Sequence, residues 1–353
     1  MKTFTYTGLP ARVIFGFNTT SRLETELDNL SISRALVMTT PLQAEAGRRI
    51  LEQLGDKGVG LFPDASMHTP VDVTGRALDQ FEERGADGIV SFGGGSTINL
   101  GKAIALRNDA PQVVLPTSYA GSEMTPILGQ TEGNLKTTLR SDRVLPETVI
   151  YDVNHTMTLP SLMTVTSSMN AIAHAVEAMY AENANPLLSL MAEEGVRAVV
   201  RALPKLRENR DDKSARYDAL YGAWLCATCL GSGGVALHHK LCHVLGGSFN
   251  LPHAETHTIV LPHALAYNAP AVPDTMMRMR RATGSGTPAA TLFDLARQGG
   301  APVALKDLGM PESGIELAVE TTFRNPYYNP RPFERDAIRE IIADAWSGKR
   351  PGR

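Results

Sequence analysis

From about residue 12 to residue 152 the sequence alternates short β-branched runs with helical stretches, and that alternation sets the fold class. Arg12–Phe15, Ala35–Thr39, Val59–Phe62, Gly88–Phe92, Val113–Leu115 and Val149–Tyr151 read as strands. Thr19–Leu30, Gln43–Leu54, Val71–Arg84 and Thr97–Arg107 read as the helices between them, with Thr20 or Ser21 as a cap for the first. Such βαβ units imply a doubly wound parallel sheet whose ligands bind at the carboxyl ends of the strands. Beyond residue 155 the alternation stops. Leu162–Tyr180, Leu187–Leu203, Arg216–Leu230 and Val235–Leu245 carry helical periodicity, punctuated by Asn183–Pro186, Pro204 and Gly231–Gly234. The expected fold is α/β: an N-terminal doubly wound parallel-sheet nucleotide-binding domain over 1–154, and an all-α catalytic domain over 155–353.

Composition narrows the function classes. Apolar residues make up 43% of the 353 and charged residues 20%, ample for two cores. Lys+Arg number 34 against 37 Asp+Glu, so the footprint of a nucleic-acid binder is missing. No run of 18 apolar residues predicts a membrane span, and Met1–Pro10 lacks a signal pattern. Three cysteines, Cys226, Cys229 and Cys242, cannot build a disulfide framework, which fits a cytoplasmic protein. The Cys226/Cys229 pair has no second pair to complete a zinc site and reads as core packing.

The run Ser91-Phe92-Gly93-Gly94-Gly95-Ser96-Thr97 follows a buried strand and opens a helix. Glycines there let a ligand approach the backbone, Ser96 can cap the helix, and the exposed N–H groups favour a pyrophosphate. It is neither a GxGxxG fingerprint nor a Walker loop. A second loop, Pro116–Glu123, brings Thr117 and Ser118 to the same sheet edge. The strand at Ala35 ends in Thr39-Thr40, without the acid that would bind a ribose 2′-hydroxyl and repel a 2′-phosphate. NADH is the expected cofactor, with NADPH left open.

Nine histidines are present, six of them between His238 and His263. His239 and His243 are four apart on one helix, as are Asn170 and His174 on another, so each pair shares a face. With His253, which follows the Leu251-Pro252 break, they suit a metal or catalytic cleft. The position one turn before His174 is the neutral Asn170, which counts against a metal. Glu177, three residues after His174, reads more readily as a helix-surface charge.

The Gly93–Ser96 turn, the Asn170–Glu177 helix, and the run His239-Lys-Leu-Cys-His243-Val-Leu-Gly-Gly to Leu251-Pro252-His253 resemble the iron-containing alcohol dehydrogenases. The likeness covers nearly the whole chain in motif order. The longer segments, His238–His257 and Asn329–Pro351, resemble the branch of that family that reduces an unsaturated oxo-dicarboxylate. The resemblance implies a cofactor in the first domain, an active site in an interdomain cleft and a homodimer. It puts the metal ligands of relatives at Asn170, His174, His239 and His253, with Asp at the first. Asn170 in place of that Asp implies hydride transfer without a required metal.

The expected reaction is NAD(P)H-dependent reduction of a C=C bond conjugated to a ketone. Negative charge then develops on the ketone oxygen as an enolate, and a general acid must protonate the adjacent carbon. His243 is the expected acid, because its family position lies beside the metal position and is not a ligand. His253 and His239 are expected at the enolate oxygen, supported by His174 and Asn170. A dicarboxylate substrate needs cationic or hydroxyl partners. Tyr327 and Arg331 are candidates, although their run also reads as a surface turn. Lys136 matches a family lysine near the cofactor. Three other readings remain: a metal-dependent alcohol or aldehyde dehydrogenase, a lyase like the dehydroquinate synthases, and a non-catalytic nucleotide-binding protein.

Overall fold

In the computed structural model the described residues are 3–9, 11–133 and 135–352, with Leu135 and Lys136 described by backbone alone. The chain forms two compact units, one over Leu9–Leu159 and one over Pro160–Arg353 together with the N-terminal residues up to Gly8.

The first unit runs β1 (Arg12–Gly16), α1 (Leu23–Asn29), β2 (Ala35–Met38), α2 (Ala44–Leu54), β3 (Gly58–Phe62), α3 (Val71–Glu83), β4 (Gly88–Gly93), α4 (Gly95–Asn108) and β5 (Gln112–Pro116). A hairpin of β6 (Ile127–Glu132) and β7 (Leu135–Arg140) follows, then β8 (Thr148–Asp152). Six strands pair in the order β1-β8-β5-β4-β2-β3, every pair parallel. Side chains on a strand alternate between faces. In β2, Ala35 and Val37 pack with Leu23, Leu27, Ile50 and Leu54 of α1 and α2, whereas Leu36 and Met38 pack with Val73, Phe81, Leu100 and Ile104 of α3 and α4. Each such buried aliphatic side chain contributes about 1.5–3 kcal/mol before ordering costs. After β2 the chain leaves toward β3, and after β4 it leaves the other way toward β5. The switch point therefore lies between β2 and β4, where a doubly wound sheet opens a crevice at its carboxyl edge.

The expected strands and helices are present with small shifts of boundary. Three differ. The 19–30 segment is a 3-10 turn, Thr19–Arg22, followed by α1, and no side chain of its own caps it. Asp152 instead accepts from the backbone N–H groups of Asn18 and Thr20. The antiparallel β6–β7 pair is additional to the strands read from the sequence.

The second unit is helical: α5 (Ser161–Ala178), α6 (Pro186–Glu208), α7 (Lys213–Ser232), α8 (Leu237–Phe249), α9 (His253–Asn268), α10 (Pro273–Thr283), α11 (Pro288–Gln298), α12 (Gly314–Phe323) and α13 (Arg335–Ser347). Asn185 starts α6 by accepting from the N–H groups of Leu187 and Leu188, with Pro186 pre-set for the first turn. Asp212 caps α7 through the Ala215 N–H. The third difference is Pro204, which lies inside α6 rather than ending it. α5 is buried on every side from Thr164 to Ala178, so it forms the unit's axis and has no solvent face for a charge.

Candidate active site

At the sheet's carboxyl edge three loops are stitched together. Gln43 Nε2, after β2, donates to Thr117 Oγ1, after β5, at 2.9 Å. The Thr117 N–H donates to the Gly93 carbonyl, at the end of β4, at 3.1 Å. A Cβ on Gly93 would stand 2.4 Å from Thr97 Oγ1, and one on Gly94 would stand 2.9 Å from Ser118 Oγ. Gly93 is thus required by the closeness of Thr97 on α4, and Gly94 stands against the rotatable Ser118 hydroxyl of the β5 loop. Gly94, not Ser96, occupies the N-cap of α4, and Gly95 and Ser96 lie inside its first turn. No side chain caps this helix, so its first N–H groups and the positive end of its dipole face the crevice. That edge fits a dinucleotide pyrophosphate. Ser118 and Thr117 flank it, each less than a tenth exposed. Thr39 is fully buried, with its methyl turned toward Gly47, so its hydroxyl is inside the unit. Lys136 lies on β7 opposite Thr131, and its side chain falls outside the described residues.

The imidazole cluster is built in the helical unit by α5, α8 and α9. Asn170 and His174 sit four apart on α5, and the His174 ring stacks on that of His239 from α8 with centroids 5.2 Å apart. His253 opens α9, one turn before His257, with centroids 4.1 Å apart. His257 also lies 5.0 Å from His239 and 4.8 Å from His238. His243, one turn along α8 from His239, is exposed, and its Nδ1 lies 3.0 Å from the Tyr327 hydroxyl. Five of the expected site residues, Asn170, His174, His239, His243 and His253, therefore belong to one constellation, which Tyr327 joins. Arg331 is directed elsewhere: its guanidinium stacks 4.1 Å over the Tyr267 ring and donates to the Tyr267 carbonyl.

Glu177 corrects the surface-charge expectation. It is fully buried because α5 has no exposed face. One oxygen accepts from the His238 N–H at 2.6 Å; the other accepts from the Ala236 N–H at 2.8 Å and meets His239 Nδ1 at 2.6 Å. A carboxylate on Nδ1 fixes the ring's tautomer and aims Nε2 at a reacting group. The polar atoms left sealed without a partner are His239 Nε2, His174 Nδ1 and Asn170 Oδ1, together with both ring nitrogens of His257. Burial holds the imidazoles of His174, His239 and His257 well below the usual histidine range and that of His238 at about 4, with neighbouring imidazoles adding to the effect. Burial also raises the Glu177 carboxyl. These shifts favour neutral imidazoles in the resting cluster.

These residues offer a divalent cation a weaker donor set than a site that includes a carboxylate. The four positions that the resemblance assigns to a metal offer one amide and three imidazoles, with no anionic donor, which suits hard divalent ions poorly and leaves a borderline ion only the three imidazoles and a water. Among the described residues, the imidazoles whose donor atoms approach within 4.8 Å of one another are His238, His239 and His257, a set that shares only His239 with those four. Within it, His238 Nε2 lies 3.0 Å from the His257 carbonyl and His239 Nδ1 is held by Glu177.

Three residues have roles that the sequence did not indicate, Gln43 in the first unit and Glu177 and Lys240 in the second. Gln43 ties two loops of the cofactor edge. Glu177 orients His239. Lys240 lies on α8 between His239 and His243, only 8% exposed, and its ammonium sits 5.5 Å over the Tyr327 ring. Burial lowers its pKa from the usual value.

Comparison with known proteins agrees with this geometry. Residues 10–153 match the model of the iron-containing alcohol dehydrogenases, and residues 164–346 match that of the C-terminal region of the Fe-containing alcohol dehydrogenase family. The chain is 51% identical over 351 residues to a maleylacetate reductase of Rhizobium sp. strain MTP-10005, covering 99% of this chain and 100% of that one. It is 52% identical over 351 residues to a maleylacetate reductase of Burkholderia cepacia, with the same coverage. The crystal structure of maleylacetate reductase from Agrobacterium tumefaciens superposes with a TM-score of 0.96 at 49% identity, over 99% of this chain and 100% of that chain. With both of its units matched and relatives half identical along its full length, the chain belongs to the iron-containing alcohol dehydrogenase family.

Proposed function

We propose that this chain is an NAD(P)H-dependent maleylacetate reductase, which reduces the conjugated C=C bond of maleylacetate to give 3-oxoadipate in aromatic-compound degradation, without a metal. The observation that carries the chemistry is His239. It is a buried imidazole held on Nδ1 by Glu177, among sealed polar atoms of Asn170 and His174, at a site with no anionic metal ligand. Relatives with this name at about half identity support the substrate.

The Gly94–Ser96 turn, flanked by Thr117 and Ser118, would hold the nicotinamide cofactor, which would supply the hydride for the substrate carbon β to the ketone. The chain's own groups handle the charge that follows. His239 and the exposed His253 donate to the oxygen as it becomes an enolate. Glu177 is the counter-charge that lets His239 carry a proton on both nitrogens at that moment. A dianionic substrate entering the cluster itself favours protonated imidazole. His174 supports the His239 ring by stacking on it, and Asn170 lies one turn before His174 on α5. His243 protonates the carbon beside the ketone, with its ring set by the Tyr327 hydroxyl on Nδ1. Lys136 assists at the cofactor, and Tyr327 lies on the substrate side, whereas the Arg331 guanidinium is engaged by Tyr267.

The functional enzyme is a homodimer in the cytoplasm. β1 is an edge strand of the sheet, and the preceding Thr3-Phe4-Thr5-Tyr6-Thr7 alternates as a strand does while lying exposed, which supports pairing with a second copy. The three buried, unpaired cysteines agree with a reducing compartment.

The test follows NADH oxidation with maleylacetate before and after exhaustive chelation, with elemental analysis of the same sample. Full turnover in metal-free protein is expected. Activity lost on chelation and restored by zinc or iron would return the metal-dependent alcohol dehydrogenase reading to first place.

A further inference from the structure

Lys240 is an anomaly in its surroundings. A lysine ammonium is strongly hydrated, and burying one without an anion is costly, so nearly buried lysines are usually ion-paired. Lys240 is 8% exposed, its stem is covered while its ammonium is not among the sealed polar atoms, and it enters no ion pair among the described residues. Its recorded side-chain contact is the face of Tyr327 at 5.5 Å, a cation–π contact worth about 0.5–2 kcal/mol, which does not neutralise its charge. Glu177, the carboxylate buried nearby, is committed to His239 and the α8 backbone.

The position of this charge is fixed from two sides. Lys240 and His243 are three apart on α8 and share a face of that helix. Tyr327 touches both, with its ring under the Lys240 ammonium and its hydroxyl 3.0 Å from His243 Nδ1. The Tyr327 segment is pinned in turn by Asn329, which accepts from the Leu237 N–H at the start of α8 and exchanges two hydrogen bonds with Asn268. An uncompensated cation is thus held beside the expected proton donor by residues that have no other evident reason to meet.

We propose that Lys240 is the carboxylate anchor of the active site, binding one carboxylate of the dianionic substrate against the Tyr327 ring. The inference rests on the dicarboxylate reading of the site. The missing counter-ion is the substrate's own charge, and recognition through Lys240 sets the reactive carbon within reach of His243. This assigns to Lys240 the role for which Arg331 was a candidate, since the Arg331 guanidinium is engaged by Tyr267.

Lys240→Met keeps the apolar stem over Tyr327 and removes the charge. Its KM for maleylacetate is expected to rise at least tenfold, with kcat within about threefold and the KM for NADH unchanged. Lys240→Arg should recover much of the loss. Calorimetric titration with adipate, a saturated dicarboxylate, gives a readout free of turnover, and affinity should fall at least tenfold in Lys240→Met. Wild-type KM and wild-type adipate affinity in that variant would overturn the proposal, because a purely structural lysine stem is preserved by methionine. The two readings separate cleanly. Adipate binding that depends on Lys240 in a protein inactive on maleylacetate would keep the anchor and remove the reaction. Turnover of maleylacetate indifferent to Lys240 would do the reverse, and neither turnover nor adipate binding in the wild type would remove both.

Discussion

Glu177 Oε2 stands 2.6 Å from His239 Nδ1, and neither side chain is more than 6% exposed. The same carboxylate accepts the N–H groups of Ala236 and His238 at the start of α8. One buried charge therefore both sets the tautomer of the imidazole and seats the helix that carries it. In Glu177→Gln, one of the two oxygens becomes an NH2 group, so a buried N–H faces a donor. The expected loss of stability is about 1–3 kcal/mol. Turnover should fall at least tenfold with the KM for NADH unchanged. Thermal unfolding and steady-state kinetics on the same preparation check this, and an unchanged kcat would remove Glu177 from the reaction.

His243 is exposed, and its Nδ1 is set by Tyr327. As the general acid it should be worth far more to turnover than to folding. His243→Ala is expected to lower kcat more than tenfold, a barrier increase above about 1.4 kcal/mol, with the unfolding midpoint almost unmoved. A smaller drop would sink the assignment. Tyr327→Phe, which keeps the ring under Lys240 but removes the hydroxyl, should fall between the wild type and His243→Ala.

Much of this was legible in the sequence, for physical reasons. The strand–helix alternation from Arg12 to Asp152 follows from two different periods of burial, and i,i+4 spacing alone put Asn170 with His174 and His239 with His243 on shared faces. Glu177 was not legible by the same rule, since spacing from His174 does not say whether a face meets water. The signal that could have found it is the composition of α5. From Thr164 to Ala178, apart from Asn170 and His174, it offers apolar, small and hydroxyl side chains and no other carboxylate, lysine or arginine, so a carboxylate there is expected to be buried and paired. The β6–β7 hairpin escaped because Ile127–Glu132 and Leu135–Arg140 are half polar and short. Lys240 was hidden because its burial depends on Tyr327, 87 residues away in the chain.

The cofactor edge makes a prediction that separates folding from binding. A Cβ on Gly94 would stand 2.9 Å from Ser118 Oγ, a rotatable hydroxyl that can swing aside. Gly94→Ala should therefore fold with a stability change of less than about 1 kcal/mol. The hydroxyl moves and the methyl group occupies the approach to the α4 N-terminus, so the KM for NADH should rise several-fold while the maleylacetate KM holds. Gly47→Ala is the contrasting variant. Its Cβ would meet Thr39 Cγ2 at 2.5 Å and Leu61 Cδ1 at 2.9 Å inside the core, so it should lose stability first. Equal NADH KM values for wild type and Gly94→Ala would argue against a pyrophosphate at this turn.

Acid should unfold the helical unit through its neutral imidazoles. Burial holds His238 and His263 at about 4, below the ordinary value of 6.5. A base whose folded pKa is depressed binds its proton first in the unfolded chain, so stability rises with pH across the interval between the two values. The contribution of each is whole above about pH 6.5, declines as pH falls toward 4 and changes no further below that. His263 lies on α9 against Phe293, with Nε2 sealed and without a partner, so it can be altered without touching the imidazole cluster. In His263→Leu, urea midpoints measured between pH 8 and pH 4 should fall less steeply than in the wild type. An identical slope would mean that folding does not lower the His263 pKa.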